Sequence, residues 1–128
     1  MKLLVDTHAL MWWLEGSDDL SSSVGDLLED PAVPVWVSVV SVWEIGIKAR
    51  LKRLRLRHPD QWTTAGLDRR FGRLILPIEL RHVVRAPMLP PIHQDPFDRM
   101  LVAQAIEDEL TLVTRDRTLQ KYPVECVW

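Results

Sequence analysis

Short apolar runs alternate along the chain with segments in which apolar residues recur at helical spacing. The runs have the length and composition of buried strands and predict strands at 3–5, 35–38, 74–76, 111–113 and 124–128. The segments between them predict helices at 8–14, 21–29, 41 to about 51, 57–71, 79–85, 96 to about 109 and 117–121. Strands that are apolar throughout and separated by helices favour an α/β fold, in which helices cover both faces of a parallel sheet.

Length and composition agree with a single folded unit. The chain has 128 residues, of which 47% are hydrophobic and 27% are charged. It is therefore long enough to build a core and too apolar to stay disordered. No internal repeat, low-complexity segment or linker interrupts it, so we predict one domain over residues 1–128.

No segment has the pattern of a membrane-targeting or membrane-spanning sequence. Residues 1–14 resemble a short signal sequence, but Asp6 and His8 interrupt the apolar stretch and no small-residue cleavage site follows. The longest apolar region, 33–43, is broken by a proline and two serines and is too short to span a bilayer. We predict a cytoplasmic protein that does not contact a membrane.

Candidate chemistry comes from acidic residues at the ends of apolar runs: Asp6, Glu44, Asp98 and Asp116. A carboxylate beside a core element is costly unless something pairs with it. Asp6 and Asp116 follow predicted strands, where parallel sheets form their sites. Glu44 and Asp98 are predicted in the first turns of helices, where the helix dipole favours negative charge. If the fold gathers all of them, Mg²⁺ or Mn²⁺ is the natural partner of such oxygen ligands.

Each acid also has a structural explanation. Glu44 stands three residues after Ser41, which is the spacing of a capping box. Asp98 could satisfy a helix N-terminus, Asp116 could cap the predicted helix 117–121, and Asp6 could cap the helix that follows it. Taken singly the acids are weak signals, and their joint placement at element boundaries is the stronger one.

A family resemblance is carried by four blocks in order. They are LVDTHAL with Trp12 and Trp13, then VS leading to SVWEI at 41–45, then HQDPFDRMLVAQA at 93–105, and LVTRD at 112–116. With these blocks the chain resembles the PIN-domain ribonucleases, specifically the VapC-like toxins of bacterial toxin–antitoxin pairs. The resemblance covers nearly the whole length, and the third block is the most specific.

The resemblance implies a three-layer α/β/α sandwich around a central, mostly parallel sheet. It implies that Asp6, Glu44, Asp98 and Asp116 hold Mg²⁺ or Mn²⁺. Similar proteins cut RNA, usually pair as homodimers, and have a cognate antitoxin that blocks the site. The reaction expected is phosphodiester hydrolysis by metal-activated water, so no side-chain general base is assigned.

Supporting residues are less sharply indicated. Thr7 and Thr114 could orient carboxylates or a metal-bound water, and they are equally well explained as capping residues. Arg99 and Arg115 flank two of the acids and could hold a scissile phosphate or pair with the carboxylates.

Further polar residues near the acids are predicted to have structural roles. We interpret His8 and His93 as hydrogen-bonded structural residues and Asp95 as a turn former before Pro96. Ser41 is interpreted as an N-cap.

A local concentration of positive charge lies at residues 48–57, although the net charge of −2 excludes a global basic field. Its cations are Lys48, Arg50, Lys52, Arg53, Arg55 and Arg57. We interpret this basic stretch as an edge that grips RNA phosphates. The alternative is a solvated face that forms ion pairs with acidic helices.

Tryptophan is abundant, with six in the chain. Trp12, Trp13 and Trp43 fall on predicted helices beside the acids, and packing in the core or a dimer is the favoured interpretation. Base stacking is the alternative for whichever ring is exposed. Apolar surface on the first helices would also suit an antitoxin helix.

Two rival functions share parts of this sequence pattern. A phosphate-accepting regulatory domain also gathers acids at strand ends, but it would need a lysine after a late strand, and none lies near Asp116. A catalytically silent PIN-like RNA-binding or scaffold module is the other rival, and the intact acids argue against it.

Overall fold

A parallel sheet of five short strands forms the centre of the computed structural model, which describes residues 1–128. The strands are β1 Leu3–Val5, β2 Val35–Ser38, β3 Ile75–Leu76, β4 Thr111–Val113 and β5 Cys126–Val127. Their order across the sheet is β3-β2-β1-β4-β5, and every neighbouring pair is parallel. Strand β1 is central, and its residue Leu3 lies opposite both Val35 and Thr111.

Six helices surround the sheet: α1 Thr7–Glu15, α2 Ser22–Glu29, α3 Val39–Arg50, α4 Thr64–Phe71, α5 Leu80–Arg85 and α6 Pro96–Glu107. Short 3₁₀ turns lie at Pro59–Trp62, Gly72–Leu74, Ala86–Met88 and Leu119–Lys121. No helix combines the length and the apolar composition that a membrane crossing requires.

Two separate hydrophobic clusters lie on the opposite faces of the sheet. Leu3 and Val5 of β1 pack in one cluster with residues of α1, α2 and α4, whereas Leu4 packs in the other with residues of α6. Alternate residues of a strand point to opposite faces, so both faces of β1 are covered. The predicted α/β/α sandwich around a parallel sheet is therefore confirmed.

Helix α3 begins earlier than predicted. Ser38, the last residue of β2, is its N-cap and accepts from the backbone N–H of Val40 at 3.0 Å. Ser41 is a fully buried residue inside the helix. The predictions that Ser41 is an N-cap and that Glu44 lies in a first turn are therefore wrong, because an equivalent serine stands three residues earlier.

The predicted helix 57–71 is also wrong, because two shorter elements replace it. Thr63 ends the 3₁₀ turn Pro59–Trp62, and its hydroxyl accepts from the N–H of Gly66 at 3.1 Å to start α4. A Cβ at Gly66 would lie 2.4 Å from the carbonyl oxygen of Asp60. Only glycine allows the turn and the helix to approach this closely.

Candidate active site

The carboxyl ends of the two central strands carry the first two acids, Asp6 and Asp116, which we call the strand-end pair. Asp6 directly follows β1 and is only 4% exposed, whereas Asp116 is exposed in the loop after β4. Thr114, buried between them, connects the pair. Its hydroxyl accepts from the N–H of Asp116 at 3.0 Å and lies close enough to Asp6 to lower the pKa of that carboxyl. Parallel strands end at one edge of the sheet, which brings these residues together.

Burial raises the pKa of Asp6 above its ordinary value of 3.8, because the ionised carboxylate loses hydration. The Thr114 hydroxyl and a hydrogen bond from the Ala9 N–H, 2.8 Å from Oδ1, act in the opposite direction, as does the charge of His8. The negative charge of Asp116 raises the pKa further. A cation beside the strand-end pair would stabilise both carboxylates.

Glu44 on α3 and Asp98 on α6 form what we call the helix pair. Glu44 is 4% exposed, and its two carboxylate oxygens have different partners. The Thr7 hydroxyl donates to Oε1 at 2.8 Å, and Lys48 Nζ donates to Oε2 at 2.6 Å. Because Thr7 follows Asp6 directly, the first of these bonds ties Glu44 to the end of β1.

Asp98 is partly buried, and burial is the main reason why its pKa rises to about 6. The negative charges of Asp95 and Glu44 also raise the pKa of Asp98. The two members of the helix pair therefore interact electrostatically. A hydrogen bond with His93 acts in the opposite direction, with His93 Nε2 at 3.1 Å from Asp98 Oδ2. The other ring nitrogen, Nδ1, lies 2.6 Å from the Tyr122 hydroxyl, so both sides of the His93 ring are held.

The four acids thus interact as two pairs. No group of three or more His, Cys, Asp or Glu side chains is arranged so that it could hold a metal ion. Proteins usually bind Mg²⁺ through one or two carboxylates together with waters and substrate phosphates, rather than in a cage of side chains, so the prediction that all four acids hold one ion stays a prediction. The donors are all hard oxygens, and one carboxyl in each pair has a raised pKa. The residues present therefore fit a hard divalent cation.

Comparison with known proteins identifies the family. The PIN domain matches residues 3–125. The chain is also 30% identical over 121 residues to ribonuclease VapC22 of Mycobacterium tuberculosis, a match that covers 94% of this chain and 91% of that protein. The chain belongs to the PIN-domain family. The predicted resemblance is confirmed.

Solved structures share the fold of this PIN domain. VapBC2 from Rickettsia felis, bound to a DNA fragment from its promoter, has a TM-score of 0.72 at 17% identity, covering 100% of this chain and 99% of that one. FitAcB from Neisseria gonorrhoeae has a TM-score of 0.71 at 19% identity, covering 98% and 96%. At these identities the likeness concerns the fold.

Arg99 does not have the role predicted for it in the PIN domain. Its guanidinium donates to backbone carbonyls of Ala86, Leu89, Pro90 and His93 and to the Tyr122 hydroxyl. These bonds fasten the segment before α6 to the helix. The prediction that Arg99 holds a phosphate or pairs with the site carboxylates is wrong, because its donors are used elsewhere.

The acids differ in whether their side chains cap a helix. Asp95 caps α6, accepting from two N–H groups of its first turn at 2.9 and 3.3 Å, so the Asp98 side chain has no capping role. Asp6 does cap α1. Asp116 accepts from the N–H of Thr118 at 2.8 Å, in a loop rather than at the start of the predicted helix 117–121. The strand-end pair therefore has structural bonds as well as a place at the sheet edge.

The basic stretch divides into one engaged cation and several free ones. Lys48 bonds to Glu44 and points into the site, which differs from its predicted place on an RNA-binding edge. The remaining cations are exposed and form no ion pair: Arg50, Lys52, Arg53, Arg55 and Arg57. The alternative of a solvated face is therefore confirmed for these five cations, whereas the ion pairs with acidic helices that it included are not formed.

The sequence does not predict which side chains contact the carboxylates of the helix pair. His93 contacts Asp98 directly, and Lys48 contacts Glu44. Proximity in sequence is the only signal for both, since periodicity does not show that a loop histidine folds back on the first turn of α6.

Of the tryptophans, Trp13 packs against Phe71 as predicted, whereas Trp43 is 61% exposed, so core packing does not describe it.

Proposed function

We propose that this PIN domain is a metal-dependent endoribonuclease and the toxin of a toxin–antitoxin pair. The observation that carries the proposal is the arrangement of the four acids, with Asp6 buried at the end of the central strand and Glu44 bonded to the adjacent Thr7. The relative from Mycobacterium tuberculosis is named as a ribonuclease, and the same chemistry suits these residues.

The strand-end pair and the helix pair would hold Mg²⁺ or Mn²⁺. When bound, the ion would promote ionisation of the attacking water and stabilise negative charge on the phosphodiester. The four carboxylates offer only oxygen donors, which favours these ions over zinc.

The surrounding residues orient the carboxylates. Thr114 supports Asp6, Thr7 fixes one oxygen of Glu44, and His93 fixes one oxygen of Asp98. Such hydrogen bonds hold ligating oxygens in place and reduce the reorganisation that metal binding requires. The Lys48 ammonium neutralises the second oxygen of Glu44.

The basic stretch would bind the RNA backbone. Its position is fixed by Glu15, a buried residue whose carboxylate accepts from the N–H groups of Arg57 and His58 and from Trp62 Nε1. With a net charge of −2 for the chain, free arginines concentrated in one segment offer a local phosphate-binding surface.

A cognate antitoxin would be the protein partner, since the structural relatives include VapBC assemblies from Rickettsia felis, Salmonella typhimurium and Haemophilus influenzae. We also propose a homodimer and a cytoplasmic location, as the family resemblance implies.

Cleavage of single-stranded RNA tests the activity. With Mg²⁺ or Mn²⁺ the wild type should cut the RNA, and Asp6→Asn and Asp98→Asn should remain folded and lose cleavage. Asp26→Asn, at an exposed position on α2, is the matched control and should cut normally. Retained cleavage in Asp6→Asn would contradict the site. RNA binding by the wild type without cleavage in any metal would favour the silent RNA-binding module.

A further inference from the structure

A second feature adjoins the strand-end pair: an open cleft of about 210 Å³ lined by Asp6, His8, Trp12, Arg115 and Asp116. We call it the Trp12 cleft. One side is acidic, and the other side consists of two aromatic rings and a guanidinium group. The metal proposal uses only the acidic side, so the aromatic side needs its own explanation.

The guanidinium group of Arg115 is held by aromatic rings rather than by the neighbouring carboxylates. Its carbon lies 4.4 Å from the centre of the Trp12 ring and 6.0 Å from that of Trp128. The two tryptophans meet edge to face with ring centres 5.9 Å apart. Cation–π contacts of this kind hold a guanidinium in place without using its N–H donors.

Arg115 forms no ion pair, although Asp116 is its neighbour in the chain and Asp6 lines the same cleft. A cation beside two acids would ordinarily pair with one of them. Because the tryptophans hold it away from them, its donors stay available to a ligand. An oxyanion entering an otherwise acidic cleft needs such a donor.

The remaining wall is aromatic. His8 is exposed, and its ring centre lies 5.6 Å from that of Trp12, with the two planes tilted by 34°. Planar aromatic and guanidinium surfaces are what single-stranded RNA bases stack on when they leave a helix.

We propose that the Trp12 cleft binds one nucleotide of single-stranded RNA, with Arg115 on a phosphate and His8 and Trp12 against the base. This inference rests on the proposed function, because the bound nucleotide would belong to the RNA strand that is cut and would lie beside the metal-binding acids. It adds that the enzyme contacts a base next to the cleavage point. Base preference at that nucleotide would then depend on His8 and Trp12.

Binding of a fluorescent single-stranded RNA octamer, measured by anisotropy in EDTA so that cleavage does not interfere, tests the inference. Arg115→Gln should weaken binding and lower the slope of log affinity against log salt by about one. Arg117→Gln removes the same charge two residues away, outside the cleft, and should have a smaller effect. An equal loss in both variants would mean that Arg115 contributes only its positive charge. That result would overturn its assignment to a phosphate in the cleft.

Stacking is tested with Trp12→Leu and with an octamer of the same backbone that lacks its bases. Trp12→Leu should weaken binding of the normal octamer by about tenfold and binding of the base-free octamer by less, because only the release of Arg115 from the ring affects the latter. Trp12→Phe, which keeps a ring, should recover most of the affinity. Equal binding of the normal octamer by Trp12→Leu and wild type would overturn the inference.

The outcomes separate the two proposals. A wild type that binds and cuts RNA, with cleft variants that bind it equally well, removes the nucleotide site and leaves the ribonuclease. A wild type that neither binds nor cuts RNA removes both.

Discussion

The strand-end pair and the helix pair differ in what holds their carboxylates in place. Asp6 and Asp116 are set by the ends of β1 and β4, and their carboxylates accept from backbone N–H groups, those of Ala9 and Thr118. The helix pair depends on side-chain partners. Glu44 is held by Thr7 across 37 positions of sequence, and Asp98 is held by His93, whose ring is fixed in turn by Tyr122.

One site can therefore combine two carboxylates that are positioned by the backbone with two that are positioned by hydrogen bonds to side chains. Sheet topology alone brings the strand-end pair to the edge. The helix pair needs its supporting hydrogen bonds, so substitutions one step away from its carboxylates should affect it most. The following predictions test that contrast, beginning with the largest expected effect.

Thr7→Val should damage the helix pair most. Glu44 would lose a donor to a buried oxygen, which costs about 1–3 kcal/mol of stability, and metal-dependent cleavage should fall about 10- to 100-fold. Urea unfolding and cleavage rates measure the two effects. Thr111→Val, which changes a threonine on β4 whose hydroxyl has no side-chain bond, is the matched control. If Thr7→Val behaves like this control, Glu44 does not depend on its partner.

His93→Ala should weaken Mn²⁺ binding by about tenfold, because Asp98 loses the group that orients it. His93→Gln can still donate one hydrogen bond and should recover part of the affinity. The measurement is calorimetric titration with Mn²⁺. Equal affinities in His93→Ala and wild type would show that Asp98 is positioned by α6 alone.

Mn²⁺ affinity should fall as the pH drops through about 6, because the proton on Asp98, whose pKa is raised to about 6, competes with the ion. Lowering the pH affects the stability of the folded protein in the opposite direction. A carboxyl whose pKa rises on folding stabilises the folded state fully below its ordinary pKa of 3.8 and loses that contribution as the pH rises towards 6. Without metal, the wild type should therefore lose stability across this window, and Asp98→Asn should lose less, because only the contribution of Asp6 remains. Parallel pH profiles of the two proteins would contradict the assignment.

Lys48→Met should have the smallest effect and the opposite direction. Removing the ammonium frees the second oxygen of Glu44, and Mn²⁺ affinity should rise about twofold, since a half-exposed pair within one helix is worth little. Arg50→Met, which removes a cation of the same helix that has no partner, is the control. A fall in affinity on Lys48→Met would mean that the lysine supports the ion instead of competing with it.

Apolar runs and strand ends were predictable from the sequence, as β1, β2, β4 and the positions of Asp6 and Asp116 show. Errors arose where the decision is made by contacts distant in sequence. Nothing local distinguishes Ser38 from Ser41 as the cap of α3. The 3₁₀ turn before α4 is held by Glu15 on α1, whose carboxylate accepts from the N–H of His58 and from Trp62 Nε1. Arg99 was misread for the same reason, since its carbonyl partners come from a segment without periodicity.

The most direct test of the central claim, that both pairs bind the same metal site, is a thermodynamic cycle for Mn²⁺ binding. Affinities would be measured for wild type, Asp6→Asn, Asp98→Asn and the double variant. We predict that each single variant loses nearly as much affinity as the double variant, because removing either pair dismantles one shared site. Independent losses that add in the double variant, or wild-type affinity in either single variant, would contradict the account.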